Sequence, residues 1–214
     1  MKIVFVAGGS GRVATELIKD LVAAGNKVIA GARHPEKIIK LNGVAPVKMD
    51  LHSSVNDLAS LMKGANIVYF VAGSRGKDLL QTDAMGAVKT MEAAGKVGIK
   101  RYIMLSSMYA LEPDQWHKYP ALAGITDYNI AKFFADNYLI HSTDLDYTIL
   151  QPAVLTEKPG TGKINIGVGE ETANPIPDVA QTLADLLKFD NTIGKVIMMR
   201  SGATPIKDAL KKVR

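Results

Sequence analysis

The chain's first chemistry-bearing stretch is Gly8-Gly9-Ser10-Gly11-Arg12-Val13-Ala14. The spacing Gly8-x-x-Gly11-x-x-Ala14 is one form of the turn that seats the pyrophosphate of a dinucleotide. Gly8 permits the tight turn, Gly11 lets backbone N–H groups approach the phosphates, and the small Ala14 lets the next helix pack closely on the strand before it. The first helical turn offers free N–H donors and a positive dipole end to the anion, so Gly9, Ser10, Arg12 and Val13 are expected contacts as well. A tight turn without any ligand is the plain alternative. The context argues against it, because a strand precedes the turn, a helix follows, and a second strand completes a β-α-β unit within about thirty residues. No Walker pattern is present, which argues against a nucleoside triphosphate.

The second strand ends in Ala32-Arg33-His34. A site built for NAD usually places a carboxylate here to hold the ribose hydroxyls. Arg33 offers instead a planar guanidinium suited to a 2′-phosphate, and Arg12 is a second cation within reach of the same group. NADP(H) is therefore the expected cofactor, with NAD(H) the alternative.

Other reactive patterns are missing. There is no cysteine, which excludes disulfides, thiolate metal sites and a cysteine nucleophile and fits a reducing cytoplasm. His34, His52, His117 and His141 are scattered, and no ligand spacing suggests a metal. Trp116, Lys158 and Lys163 are candidate substrate contacts, though each reads first as structural or solvated. The net charge of +5 comes from scattered residues, with a dense group only at Lys207, Lys211, Lys212 and Arg214. Neither a nucleic-acid partner nor a membrane is expected, since no apolar run approaches the ~20 residues of a spanning helix.

These groups must be held by an alternation of short β-branched runs with longer amphipathic segments. That pattern predicts an α/β fold, a Rossmann-type doubly wound parallel sheet with helices on both faces, in one domain over 1–214. Strands are expected at Lys2–Ala7, Lys27–Ala32, Ala45–Met49, Asn66–Val71, Lys100–Ser106, Asp146–Leu150 and Lys195–Arg200, with a short one at Lys163–Gly167. Helices are expected over Gly11–Ala24, Ser53–Met62, Leu79–Ala94, Asp127–Ile140, Asp178–Phe189 and Ala203–Lys212. Residues 109–126, rich in aromatics and read as a lid, and 151–177, rich in Gly and Pro, form a small substrate-side region.

With these residues in view, the chain resembles the short-chain dehydrogenase/reductase superfamily, in its atypical or extended branch of NmrA-like and small epimerase/dehydratase-like proteins. Asp50-Leu51 resembles the family's adenine-contacting pair, and Val71-Ala72-Gly73 the segment beside the adenine ribose. Gln151-Pro152-Ala153-Val154 resembles the Arg-Pro-Gly-hydrophobic stretch beside the nicotinamide, with Gln151 and Ala153 as departures. The resemblance also implies a catalytic set: Ser107, preceded by Ser106 at the cofactor, then Tyr128 and Lys132 in a Tyr-x-x-x-Lys array. Residues four apart share a helix face. The Lys132 ammonium is expected to lower the phenol pKa from its reference of about 10 and to bind the nicotinamide ribose. Tyr128 then exchanges a proton with a substrate oxygen that Ser107 orients.

The expected activity is NAD(P)H-dependent hydride transfer to or from a small carbonyl, quinone or similar molecule. A non-catalytic NADP(H)-binding redox sensor and a sugar-nucleotide epimerase or dehydratase are the alternatives. The sequence leaves monomer and homodimer both open.

Overall fold

A computed structural model describes residues 1–167, 169 and 173–214. Its frame is a sheet of nine strands: β1 (Ile3–Ala7), β2 (Lys27–Ala32), β3 (Val44–Lys48), β4 (Ile67–Phe70), β5 (Arg101–Leu105), β6 (Asp146–Pro152), β8 (Lys163–Ile166), β10 (Lys195–Ser201) and β11 (Thr204–Pro205). The short β7 (Leu155–Thr156) and β9 (Asn174–Pro175) pair separately in parallel. The sheet order is β11-β8-β10-β6-β5-β4-β1-β2-β3, so the run from β3 to β6 is the doubly wound order that reverses direction beside β1. Strands β3, β2, β1, β4, β5, β6 and β10 are mutually parallel. The expected doubly wound sheet is thus present, with an antiparallel edge where β8 meets β10 and β11. No long crossover separates β10 from β11, and the chain simply folds back onto β8.

The central strands look continuously apolar because both faces are covered. Val4 and Val6 join one core layer while Phe5 and Ala7 join the other; Tyr69 and Phe70, or Ile103 and Met104, divide in the same way. The first layer is roofed by α1 (Arg12–Ala23), α7 (Ile176–Asp185) and α8 (Ile206–Lys211). The second lies under α2 (Val55–Met62), α3 (Met85–Lys96) and α6 (Thr126–His141). Leu17 and Leu21 of α1 are fully buried against α7, and truncating such a leucine costs about 2–5 kcal/mol. Tyr69 spends its hydroxyl on the Leu183 carbonyl at 2.8 Å, tying sheet to α7. Ser54 caps α2 in a reciprocal box with Asp57.

Two helical segments differ from their periodicity. Leu79–Ala84 is a π-turn that precedes α3 rather than its first turn. The wider turn carries Thr82 and Asp83 inward, where Thr82 donates to Asp78 and Asp83 accepts from the Ser74 N–H. The late helix begins at Ile176 and gives way to a 3-10 turn at Leu186–Lys188 before Phe189. The loop between β5 and α6 contains two single turns, α4 (Pro113–Trp116) and α5 (Pro120–Ala123). Among the described residues no helix is long and apolar enough to cross a membrane. Of the stretch 151–172, residues 168 and 170–172 lie outside those described.

Candidate functional site

At the C-terminal ends of β1, β2, β4, β5 and β6 a single cleft of about 690 Å³ opens where the strand order reverses. That is the place where open α/β sheets bind ligands. Gly8 holds φ +92°, and a Cβ there would lie 2.6 Å from the Ala72 Cα of the neighbouring chain segment. The turn is closed by Gly8 and Gly9 N–H groups donating to the Gly31 carbonyl and by Gly11 N–H donating to the Gly8 carbonyl. The Gly11 N–H is therefore spent within the turn. The donors left for an anion belong to the start of α1, which has no side-chain cap and no acidic residue in its first turn. A carboxylate there would compete with a phosphate; its absence fits a bound pyrophosphate.

The expected cofactor residues Gly8, Ser10, Gly11, Arg12 and Val13 line this cleft, as do Arg33, Asp50, Leu51 and Val71-Ala72-Gly73. Ser106, Tyr128, Lys132, Pro152, Ala153 and Val154 line it too, together with Ser107. Gly9 is the exception. It is buried behind the turn, where a Cβ would meet the Ala30 Cβ at 2.9 Å, so it serves close packing on β2. Arg12 lines the cleft with its guanidinium paired with Glu157, just past β7. Arg33 and Lys37, just past β2, and Arg75, in the loop after β4, also line the cleft as cations, together with His34. Arg75 was not legible as a site residue, since it comes from the loop after β4, and Lys37 is brought in by the short turn Pro35–Lys37 that follows Arg33. The imidazole of His52 meets Asp78 at 2.7 Å and joins the loop after Asp50 to the loop after β4. The Thr82 hydroxyl and the His52 ring hold the Asp78 carboxyl below the usual carboxylate range.

At the other end stands the Tyr-x-x-x-Lys pair of α6. Lys132 is buried, donates to the Leu105 carbonyl at 3.2 Å, and lies 5.6 Å from the Tyr128 ring centroid and 5.8 Å from that of Phe70. The hydroxyls of Tyr128 and Ser107 have no partner among the described residues and remain available. Ser106 is different: although it borders the cleft, its hydroxyl donates to the buried Asp136 at 2.8 Å. Gln151, the departure from the family's arginine, sends its amide to the same carboxylate at 3.0 Å and so does not face the cleft.

The far wall is apolar, formed by Met108, Ala121, Leu122, Ile125, Val154 and Leu155. The segment 109–126 that supplies part of it is pinned in place. Tyr109, at φ +57°, stacks on Tyr119 with centroids 4.9 Å apart, and their hydroxyls share a hydrogen bond of 2.9 Å. Burial and that neighbouring hydroxyl push the Tyr109 phenol up to about 12. Trp116 donates to the Tyr109 carbonyl at 2.8 Å, and Asn129 of α6 donates to the Leu122 carbonyl at 2.8 Å. Trp116 thus supports the wall from behind, while Lys158 and Lys163 do not border the cleft. Among the described residues no group of His, Asp or Glu gathers as it would around a metal ion.

The chain as a whole is similar to known proteins. The model of the NAD(P)H-binding family matches residues 8–190. The crystal structure of the oxidoreductase ylbE from Lactococcus lactis is 42% identical, with a TM-score of 0.95 over 99% of this chain and 96% of that one. A candidate NAD-dependent epimerase/dehydratase from Bacillus halodurans is 30% identical, with a TM-score of 0.87 over 99% of this chain and all of its own. The uncharacterised sugar epimerase YhfK of Bacillus subtilis (strain 168) is 30% identical over 98% of this chain and 99% of its own.

Proposed function

The chain belongs to the NAD(P)H-binding family, and from that premise we propose that it is an NADPH-dependent reductase of small, neutral, largely apolar carbonyl or quinone compounds. The carrying observation is that the uncommitted hydroxyls of Ser107 and Tyr128 and the buried ammonium of Lys132 share one cleft with the glycine turn. The first-turn N–H groups of α1 would hold the pyrophosphate, and Val71-Ala72-Gly73 with Asp50-Leu51 the adenosine. Arg33, aided by Lys37 and Arg75, would hold the 2′-phosphate, which a carboxylate at this position would repel. Pro152, Ala153 and Val154 would flank the nicotinamide, and Lys132 would reach its ribose. A reduced nicotinamide bound there supplies the hydride.

Ser107 donates to the substrate's carbonyl oxygen and fixes its position. As the carbonyl carbon gains hydride, the C=O π pair moves onto oxygen, and Tyr128 gives that oxygen its hydroxyl proton. Lys132 opposes the negative charge left on the phenolate, which later recovers a proton from solvent. The substrate-side region of 109–126 and 151–177 selects the substrate. Its apolar wall favours one whose reacting oxygen is its main polar group.

The sugar-epimerase name of the Bacillus subtilis relative gives a second reading, because the same three residues suit that chemistry. The apolar wall argues against it, for among the described residues that line the cleft only Lys132 offers a nucleotide diphosphate a cation beside Tyr128. Oxidation of NADPH in the presence of a panel of aldehydes, ketones and quinones, beside epimerisation of nucleotide sugars, tests the choice. Acceptor-dependent NADPH oxidation is expected. Epimerisation without net cofactor oxidation would contradict it.

A further inference from the structure

Tyr128, Lys132 and Asp136 stand four residues apart on α6, so their side chains follow one helix face from the cleft toward the core. Asp136 is the member that the proposed reaction does not use. It is fully buried; its Oδ2 accepts from the Ser106 hydroxyl at 2.8 Å and the Gln151 amide at 3.0 Å, joining α6 to the ends of β5 and β6. Its Oδ1 is buried without a partner. An asparagine would accept the same two bonds without the cost of burying a charge, so a purely structural brace has no need of an acid here. An acid is useful if it faces a charge. The buried charge on the same face is Lys132, which makes no direct ion pair with Asp136 and whose ammonium has only the Leu105 carbonyl as acceptor among the described residues.

The geometry points to Asp136 as a positioning residue, the buried counter-charge that keeps the Lys132 ammonium aimed at the Tyr128 end of the cleft and, through Ser106, fixes the end of β5 that carries Ser107. Burial pushes the Asp136 carboxyl up to about 6, against the Gln151 amide, the Ser106 hydroxyl and the Lys132 charge, which draw it down. These are the groups that face it from β6, β5 and α6. Helix α3 presents Glu92 to α6 at Tyr138 instead, and the buried Asp83 of the π-turn accepts from Ser74. Protonation of Asp136 removes the counter-charge, and its proton has no acceptor at Oδ1. The reaction therefore loses rate on the acid side.

The kinetic arm of the test rests on the reductase reading, and the titration arm does not. Titration of the Asp136 carboxyl carbon by NMR, assigned through its loss in Asp136→Asn, is followed in the wild type and in Lys132→Met. The midpoint is expected near 6 in the wild type and higher by about half a unit or more in Lys132→Met. The pH profile of kcat is expected to show an acid limb at that midpoint in the wild type and none in Asp136→Asn, with KM for NADPH changed less than about threefold. Gln151→Met, which takes a donor from the carboxylate, is the second variant, and its acid limb moves to higher pH. A midpoint in the ordinary range near ~4, a midpoint indifferent to Lys132→Met, or one acid limb shared by all variants overturns the proposal. If the carboxyl titrates as stated but no acceptor oxidises NADPH, the reductase reading fails and the electrostatic coupling of Asp136 to Lys132 stands.

Discussion

The ammonium of Lys132 lies 5.6 Å from the centre of the Tyr128 ring, one helical turn away, and is anchored by the last carbonyl of β5. Helix α6 thus carries the phenol, and the strand end fixes the charge beside it. Tyr128→Phe is expected to lower kcat for NADPH oxidation by about 10²–10⁴, the range of a lost general acid. Ser107→Ala is expected to lower it by about 10²–10³, as for one lost oxygen-orienting donor. Steady-state kinetics beside fluorescence titration of NADPH checks both, since binding of NADPH is to remain within about threefold of wild type.

Cofactor choice depends on Arg33 and its neighbours. Arg33→Ala removes a charge-assisted contact worth about 1.5–3 kcal/mol, so NADPH is expected to bind about 10–100-fold more weakly. NADH has no 2′-phosphate, and its affinity is expected to stay nearly unchanged. Parallel titrations with the two nucleotides check this, and equal losses for both would place Arg33 elsewhere than at the phosphate.

Two glycines with positive φ give a test of the turn itself. Gly8 and Gly25 hold φ +92° and +80°, yet a Cβ on Gly25 meets nothing within 4 Å while one on Gly8 runs into Ala72 backbone. Gly25→Ala is expected to cost about 1–2 kcal/mol of backbone strain. Gly8→Ala adds an overlap that only a backbone shift relieves, for a total of more than about 2 kcal/mol. Urea unfolding of the two variants checks the order, and NADPH binding should weaken only in Gly8→Ala.

Stability should also depend on pH through Asp136. Its folded value, about 6, lies above its unfolded one, so the folded chain binds that proton more tightly. The stabilisation is complete below the unfolded value of about 3.9 and is lost as pH rises through about 6. Asp136→Asn is expected to abolish this dependence and to be more stable than wild type at neutral pH, by up to about 3 kcal/mol. Urea unfolding across this range checks the slope.

The strands and the glycine turn were legible because both are local: a run of β-branched residues and the Gly8-x-x-Gly11 spacing each carry their own constraint. The Tyr128, Lys132 and Ser107 set was legible only through family likeness, since a Tyr and a Lys four apart occur on many helices. Asp136 continues that spacing but could not be read as part of the site, because its meaning comes from Ser106 and Gln151, 30 and 15 residues away. The ion pair of Arg12 was illegible for the same reason, as Glu157 lies 145 residues along the chain. The reversed direction of β8 follows from which neighbour it finds, and its alternation of side chains is the same either way.

The account comes down to whether hydride passes to a carbonyl carbon while Tyr128 protonates its oxygen. The direct measurement uses NADPH deuterated at its transferable position with an accepted aldehyde or ketone, in wild type and Tyr128→Phe. Deuterium on the product's carbinol carbon, with a turnover at least about a hundredfold slower in the variant, is the predicted result. Deuterium transfer at equal rates in both proteins would contradict it, as would failure of the wild type to label any carbonyl.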